Sequence, residues 1–193
     1  MTYAEFQIGF WHPFGPHGKE TPEHIIERKR WEIEANGWTL WSFQYRPMLD
    51  AWHRELSSAD PHAVLVFCSE GRGAVDPAHE GDRVRPIDCR SYRFVGRAEW
   101  RPIPEGVRVP HPFRSGKKLA SAFVVQRIIH PVEPFELPAV EWFSPSKGPW
   151  CQGKVPTRGE FLIRPGGTTP MRSVRAVLGL KVPFLAFVTA DEA

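Results

Sequence analysis

Cys68, in the stretch FCSEGRG, stands at the end of an expected strand, a place from which a nucleophile can reach substrate. Nucleophilic work needs a lowered thiol pKa and a positioned base. His62 lies too far back along an extended strand, roughly 20 Å at ~3.3 Å per residue. His53, His79, His111 and His130 remain, none at a spacing that singles it out. The expectation for Cys68 is therefore a buried, inert thiol. His12 and His17 in HPFGPHG, with His24 close behind, are imidazoles of the kind zinc binds. The Pro and Gly residues between them define no tetrahedral geometry, and no HExxH helix accompanies them, so a shaped loop is expected. Cys68, Cys89 and Cys151 form no CxxC pair and are odd in number. That argues against a disulfide framework and a structural zinc site, and no cofactor or metal is expected.

The glycine pairs are equally plain. Gly71-Arg72-Gly73 and Gly166-Gly167 continue to neither GK[ST] nor GxGxxG. RPGGTTPMR can present backbone N–H groups at a helix start beside Arg164 and Arg172, which suits a phosphate, or it can be an ordinary turn and cap. The turn is favoured. A stronger signal is the run of eight arginines from Arg83 to Arg114, with Tyr92, Phe94 and Trp100 among them. Guanidinium groups offer forked donors to phosphate, and aromatic rings can stack bases. Asp82, Asp88, Glu99 and Glu105 dilute that charge, so a self-paired surface is weighed evenly against it.

Charge is unevenly distributed. Residues 1–60 hold 6 Lys/Arg and 9 Asp/Glu, whereas residues 61–193 hold 19 and 13, so the basic character belongs to the second two-thirds of the chain. A basic face concentrates polyanions and speeds their capture. Hydrophobic residues at 41% suffice for a core, and 8 Trp with 20 Pro and 16 Gly point to large anchors among short elements. No apolar run approaches the ~20 residues of a membrane span, and the start has no basic segment before an apolar one. A cytoplasmic protein without a membrane partner is expected.

The elements that must position these residues begin with TPEHIIERKRWEIEANG. Thr21 is a good N-cap, Pro22 suits the first helical position, Glu23 complements the dipole and Gly37 is a natural stop. Ile26 and Ile33 mark its apolar face, Glu27, Arg28 and Glu34 its wet side, and Trp31 falls toward water. A second helix is expected in MLDAWHRELSS through Leu49, Trp52 and Leu56. Strands are expected at 6–11, 38–44, 63–69, 89–96, 121–129, 159–164 and 183–188, and a third helix in TTPMRSVRAVLGL, from a Thr-Pro start to a Gly179 stop. Seven short strands without regular strand–helix alternation favour α+β: a small, mainly antiparallel barrel with packed helices, forming one domain over residues 1–193.

Three stretches resemble the PUA-like superfamily, especially its EVE and ASCH branches. AVLVFCS is similar to the strand that in EVE domains ends in a Tyr-His-Ser-like triplet beside the pocket. YRFVGRAEWRPI is similar to a strand with a Val-Gly-x-Ala/Val pattern, and SAFVVQRIIHPVEPFEL to the strand that follows. The resemblance spans residues 38–137. Of the triplet, here Phe67-Cys68-Ser69, only Ser69 matches, and the tail from 150 to 193 has no counterpart. The resemblance implies an aromatic-walled pocket that takes a modified or flipped base from RNA or DNA, in a domain that binds more often than it catalyses. Trp38 and Trp41, in the aromatic strand GWTLWSFQ, would lie near it, on opposite parity. Ser69, Arg72, Arg90, Arg93 and Arg97 complete the expected nucleic-acid contacts. The alternatives are a small hydrolase or nuclease, and a module for a small ligand or protein partner.

Overall fold

The computed structural model describes residues 6–16, 20–43, 49–71, 93–95, 97–99, 120–131, 133, 135–137, 139–144, 148–152, 155–156, 159–168 and 171–188. In chain order its elements are β1 (Ile8–Phe14), α1 (Pro22–Asn36), β2 (Thr39–Phe43), α2 (Leu49–Leu56), β3 (Val64–Glu70), β4 (Arg93–Val95), β5 (Arg97–Glu99), β6 (Ala120–Ile129), β7 (Phe135–Leu137), β8 (Val140–Ser144), β9 (Gly148–Cys151), β10 (Phe161–Pro165) and β11 (Met171–Val188). The class is α+β, with far more strand than helix. No described helix is long and apolar enough to cross a membrane. Contacts divide the chain into two units, one from Met1–Phe14, Arg46–Gly71 and Ile128–Leu180, the other from Gly15–Tyr45, Arg72–Arg127 and Lys181–Ala193.

In the first unit β1 is central. It pairs parallel with β3 and antiparallel with β10; β3 pairs antiparallel with β11, β10 with β8, and β8 with β9. Register sorts the side chains into two faces, because alternate residues of a strand point oppositely. One face carries the row Phe161–Trp11–Phe67–Val177. These residues join a core cluster with Leu65, Val140, Trp142 and Ile163. The other carries Leu162–Phe10–Val66–Leu178, each fully buried. There α2 lays Trp52 edge-on against Phe10, ring centroids 5.2 Å apart. Sheet buried on both faces explains the near-continuous apolar runs of β1 and β3. It also explains Gly9, where a Cβ would sit 2.8 Å from the Leu65 carbonyl oxygen. The parallel pairing ends at a hydrogen bond of 2.6 Å from the Gly71 N–H to the Phe14 carbonyl.

The helix expected over 168–180 is strand. Residues 171–180 lie in β11, where Ala176, Val177, Leu178 and Leu180 are buried. A central strand can bury such a run on both faces, and this tertiary gain overrides the Thr-Pro and Gly signals at its ends. The register shifts between Val174 and Ala176, an irregularity that admits Arg175. β7, β8 and β9 were not anticipated.

In the second unit α1 has the expected ends. Thr21 Oγ1 accepts from the His24 N–H at 3.3 Å, and Gly37, at φ 81°, donates its N–H to the Ile33 carbonyl. The faces differ from the expected pattern. Ile26 is buried and Trp31 is 46% exposed, but Arg28, expected on the wet side, is buried. The reason is a polar network. Arg28 donates Nε and Nη2 to Glu20 (both 2.8 Å) and Nη1 to Glu32 (3.0 Å). Lys29 Nζ donates to Glu32 at 2.7 Å and to Thr39 Oγ1 at 3.2 Å, and the Thr39 hydroxyl donates to Glu32. β2 pairs antiparallel with β6, and β4 with β5. Among the described residues, neither unit closes its strands into a barrel.

Candidate nucleic-acid interface

Trp41 shares a face of β2 with Thr39 and Phe43 and lies opposite Phe123 of β6. Phe43 stacks on Phe123 with centroids 4.3 Å apart. Trp41 is 4% exposed, so its indole is part of this packing, while Trp38, just before β2, is half-buried. Arg93 and Arg97 fall on β4 and β5, whose backbone register sets Arg93 opposite Glu99 and Arg97 opposite Val95. Arg72 and Arg90 lie outside the described residues. Ser69 is buried on β3, between Pro13 of β1 and Val174 of β11. Ser69 belongs to the first unit; Trp38, Trp41, Arg93 and Arg97 belong to the second.

Cys68 is fully buried. Desolvation alone pushes its thiol far above the ordinary range, which keeps it protonated and weakly nucleophilic. Its neighbour across the parallel pair is His12, which spacing along the chain could not single out. Glu160, the residue before β10, has its Oε1 3.3 Å from His12 Nδ1, both side chains buried. The thiol, the imidazole and the carboxylate are thus all buried. Among the described residues no group of three or more His, Cys, Asp or Glu side chains is disposed to hold a metal ion. Gly166 and Gly167 form a turn ahead of β11 with φ of 128° and 91°. A Cβ on Gly167 would collide with the Val140 carbonyl, and the Gly166 N–H donates to the Ala139 carbonyl at 3.1 Å. The pair serves as a tight turn against β8 and begins no helix.

The same unit carries a surface array that inspection of the sequence did not find. Registers set Arg164 of β10 opposite Glu141 of β8 and Phe143 of β8 opposite Trp150 of β9, so that Glu141 and Phe143 share a face of β8, and Gln152 directly follows β9. Glu141 Oε2 accepts from Arg164 Nε at 2.7 Å and lies 2.6 Å from Nη2, while Oε1 accepts from Gln152 Nε2 at 3.3 Å. The guanidinium lies over the Trp150 ring, 4.2 Å from its centroid, and Phe143 meets that ring edge-on. Hydrogen bonds from Arg164 and then Gln152 hold the Glu141 carboxyl below its usual range. The readable hint was the turn-rich SPSKG between two short aromatic stretches, a hairpin signal. No protein-family model, curated protein or solved structure matches the chain.

Proposed function

We propose that this protein is a nucleic-acid-binding domain of PUA-like, barrel-forming type that contacts phosphates through its arginine-rich segment and reads a base by stacking. The observation that carries the reading is the run from Arg83 to Arg114, where eight arginines alternate with Tyr92, Phe94 and Trp100 in the basic part of the chain. Such interleaving suits a strand of bases and phosphates better than a small neutral ligand. The state of Cys68 also favours binding over thiol catalysis, because a fully buried, protonated sulfur is a poor nucleophile. Of the two tryptophans that the resemblance places near the pocket, half-buried Trp38 is the one with surface to offer.

The test is binding to labelled single-stranded RNA and DNA over a range of salt concentrations. Neutralising Arg90, Arg93 or Arg97 one at a time is expected to weaken binding similarly for all sequences. Each change should flatten the slope of log affinity against log salt by about one. If the wild-type protein binds no RNA or DNA at low salt, the proposal fails.

A further inference from the structure

Arg164 is an arginine with one edge occupied and one edge open. Its Nε/Nη2 edge is held by Glu141 and its flat face by Trp150. Nη1 has no partner among the described residues, and the side chain is 43% exposed. Free arginine side chains lose considerable rotamer freedom when they bind; this one is already fixed in plane and in direction, which lowers the cost of using it.

Charge decides what the open edge suits. Glu141 balances Arg164, so the pair offers a phosphate little net attraction, yet the Nη1/Nη2 donors remain. A neutral partner with two adjacent acceptors fits such an edge, and among nucleobases the O6/N7 edge of guanine has that pattern. We infer that Arg164, positioned by Glu141 and Trp150, is a base-reading residue that takes the O6/N7 edge of an unpaired guanine. This inference rests on the proposed nucleic-acid binding and adds to it a site and a base preference.

The experiment compares single-stranded oligonucleotides with isolated guanines separated by thymines against the same strands carrying 7-deazaguanine, which lacks the N7 acceptor. Affinities come from fluorescence anisotropy with wild type and with Arg164→Lys, which keeps the charge and loses the fork. Wild type is expected to prefer guanine over 7-deazaguanine by roughly 5- to 150-fold, the range for a bidentate contact. Arg164→Lys should abolish that preference and leave the salt slope unchanged. Measurable binding without the preference, or a preference that survives Arg164→Lys, overturns the inference and leaves the proposed function standing. A salt slope flattened by about one in the neutral variant Arg164→Gln would mark a phosphate contact and also overturn it. Absence of any binding by wild type removes both. Because the deaza comparison needs only wild-type protein, the inference stays testable even if the variant does not fold.

Discussion

Arg28 and Arg164 are each bound to glutamate, and the two arrangements have opposite consequences. Around Arg28 each guanidinium nitrogen meets a carboxylate: Glu20 takes Nε and Nη2, Glu32 takes Nη1, and Lys29 and Thr39 also bond Glu32. Burial opposes the charge of Arg28, but the hydrogen bond to Glu20 and the charges of Glu32 and Glu20 outweigh it and raise its pKa. Around Arg164 the glutamate takes one edge, tryptophan supports one face, and the side chain remains 43% exposed. The first arrangement is closed and can only hold structure. Among the described residues the second leaves Nη1 without a partner, which a binding residue requires. The residue types are the same; the difference lies in what surrounds them.

This contrast is most exposed to failure at Arg28. Replacing it by Ala leaves Glu20 and Glu32 facing each other in the interior, and removing one partner of a buried ion pair costs ~3–5 kcal/mol. Arg28→Ala should therefore lower the urea midpoint severely or prevent folding. A near-wild-type midpoint would show that the network is solvated and that the two arginines do not differ in kind.

Acid should sharpen the same contrast. Burial would raise the Glu32 carboxyl, but the charges of Lys29 and Arg28 and the hydrogen bonds from Lys29 and Thr39 more than reverse it, so its folded pKa lies below the unfolded one. A depressed carboxyl contributes stability that is present above the unfolded value, about 4.3, and is lost as pH falls through the folded value. Urea midpoints measured from pH 6 downward should fall in that acidic window. In Glu32→Gln, already less stable, this part of the decline should be missing. An unchanged pH slope in Glu32→Gln would assign acid sensitivity to other carboxylates.

The ends of α1 were legible because caps are local: Thr21, Pro22 and Gly37 act within a turn of the helix they bound. Arg28 was misplaced on the wet side because Glu20, which takes two of its donors, lies before the helix, so its burial is not a property of helical periodicity. β11 was mistaken for helix for a related reason. Its state is decided by pairing with β3, a stretch more than a hundred residues away in sequence. The expected nucleic-acid contacts were chosen by residue type, and Arg72 and Arg90 among them lie outside the described residues. The Arg164–Glu141–Gln152 row needs two strand pairings to be known at once, and one strand shifted by a residue would turn its member to the other face.

The smallest expected effect falls on Arg164. An exposed ion pair gains little in water because side-chain ordering and ionic screening offset its attraction. The Trp150 contact adds packing, but Trp150 retains Phe143 on its edge when the guanidinium is removed. Arg164→Ala should accordingly keep its urea midpoint close to wild type, and added salt should narrow what difference there is. If Arg164→Ala instead unfolds the protein as readily as Arg28→Ala, the array is a structural clamp on the β10–β8–β9 edge, and its open donors are incidental. If stability is kept while guanine-dependent binding is lost, the division between a closed and an open arginine holds at both ends.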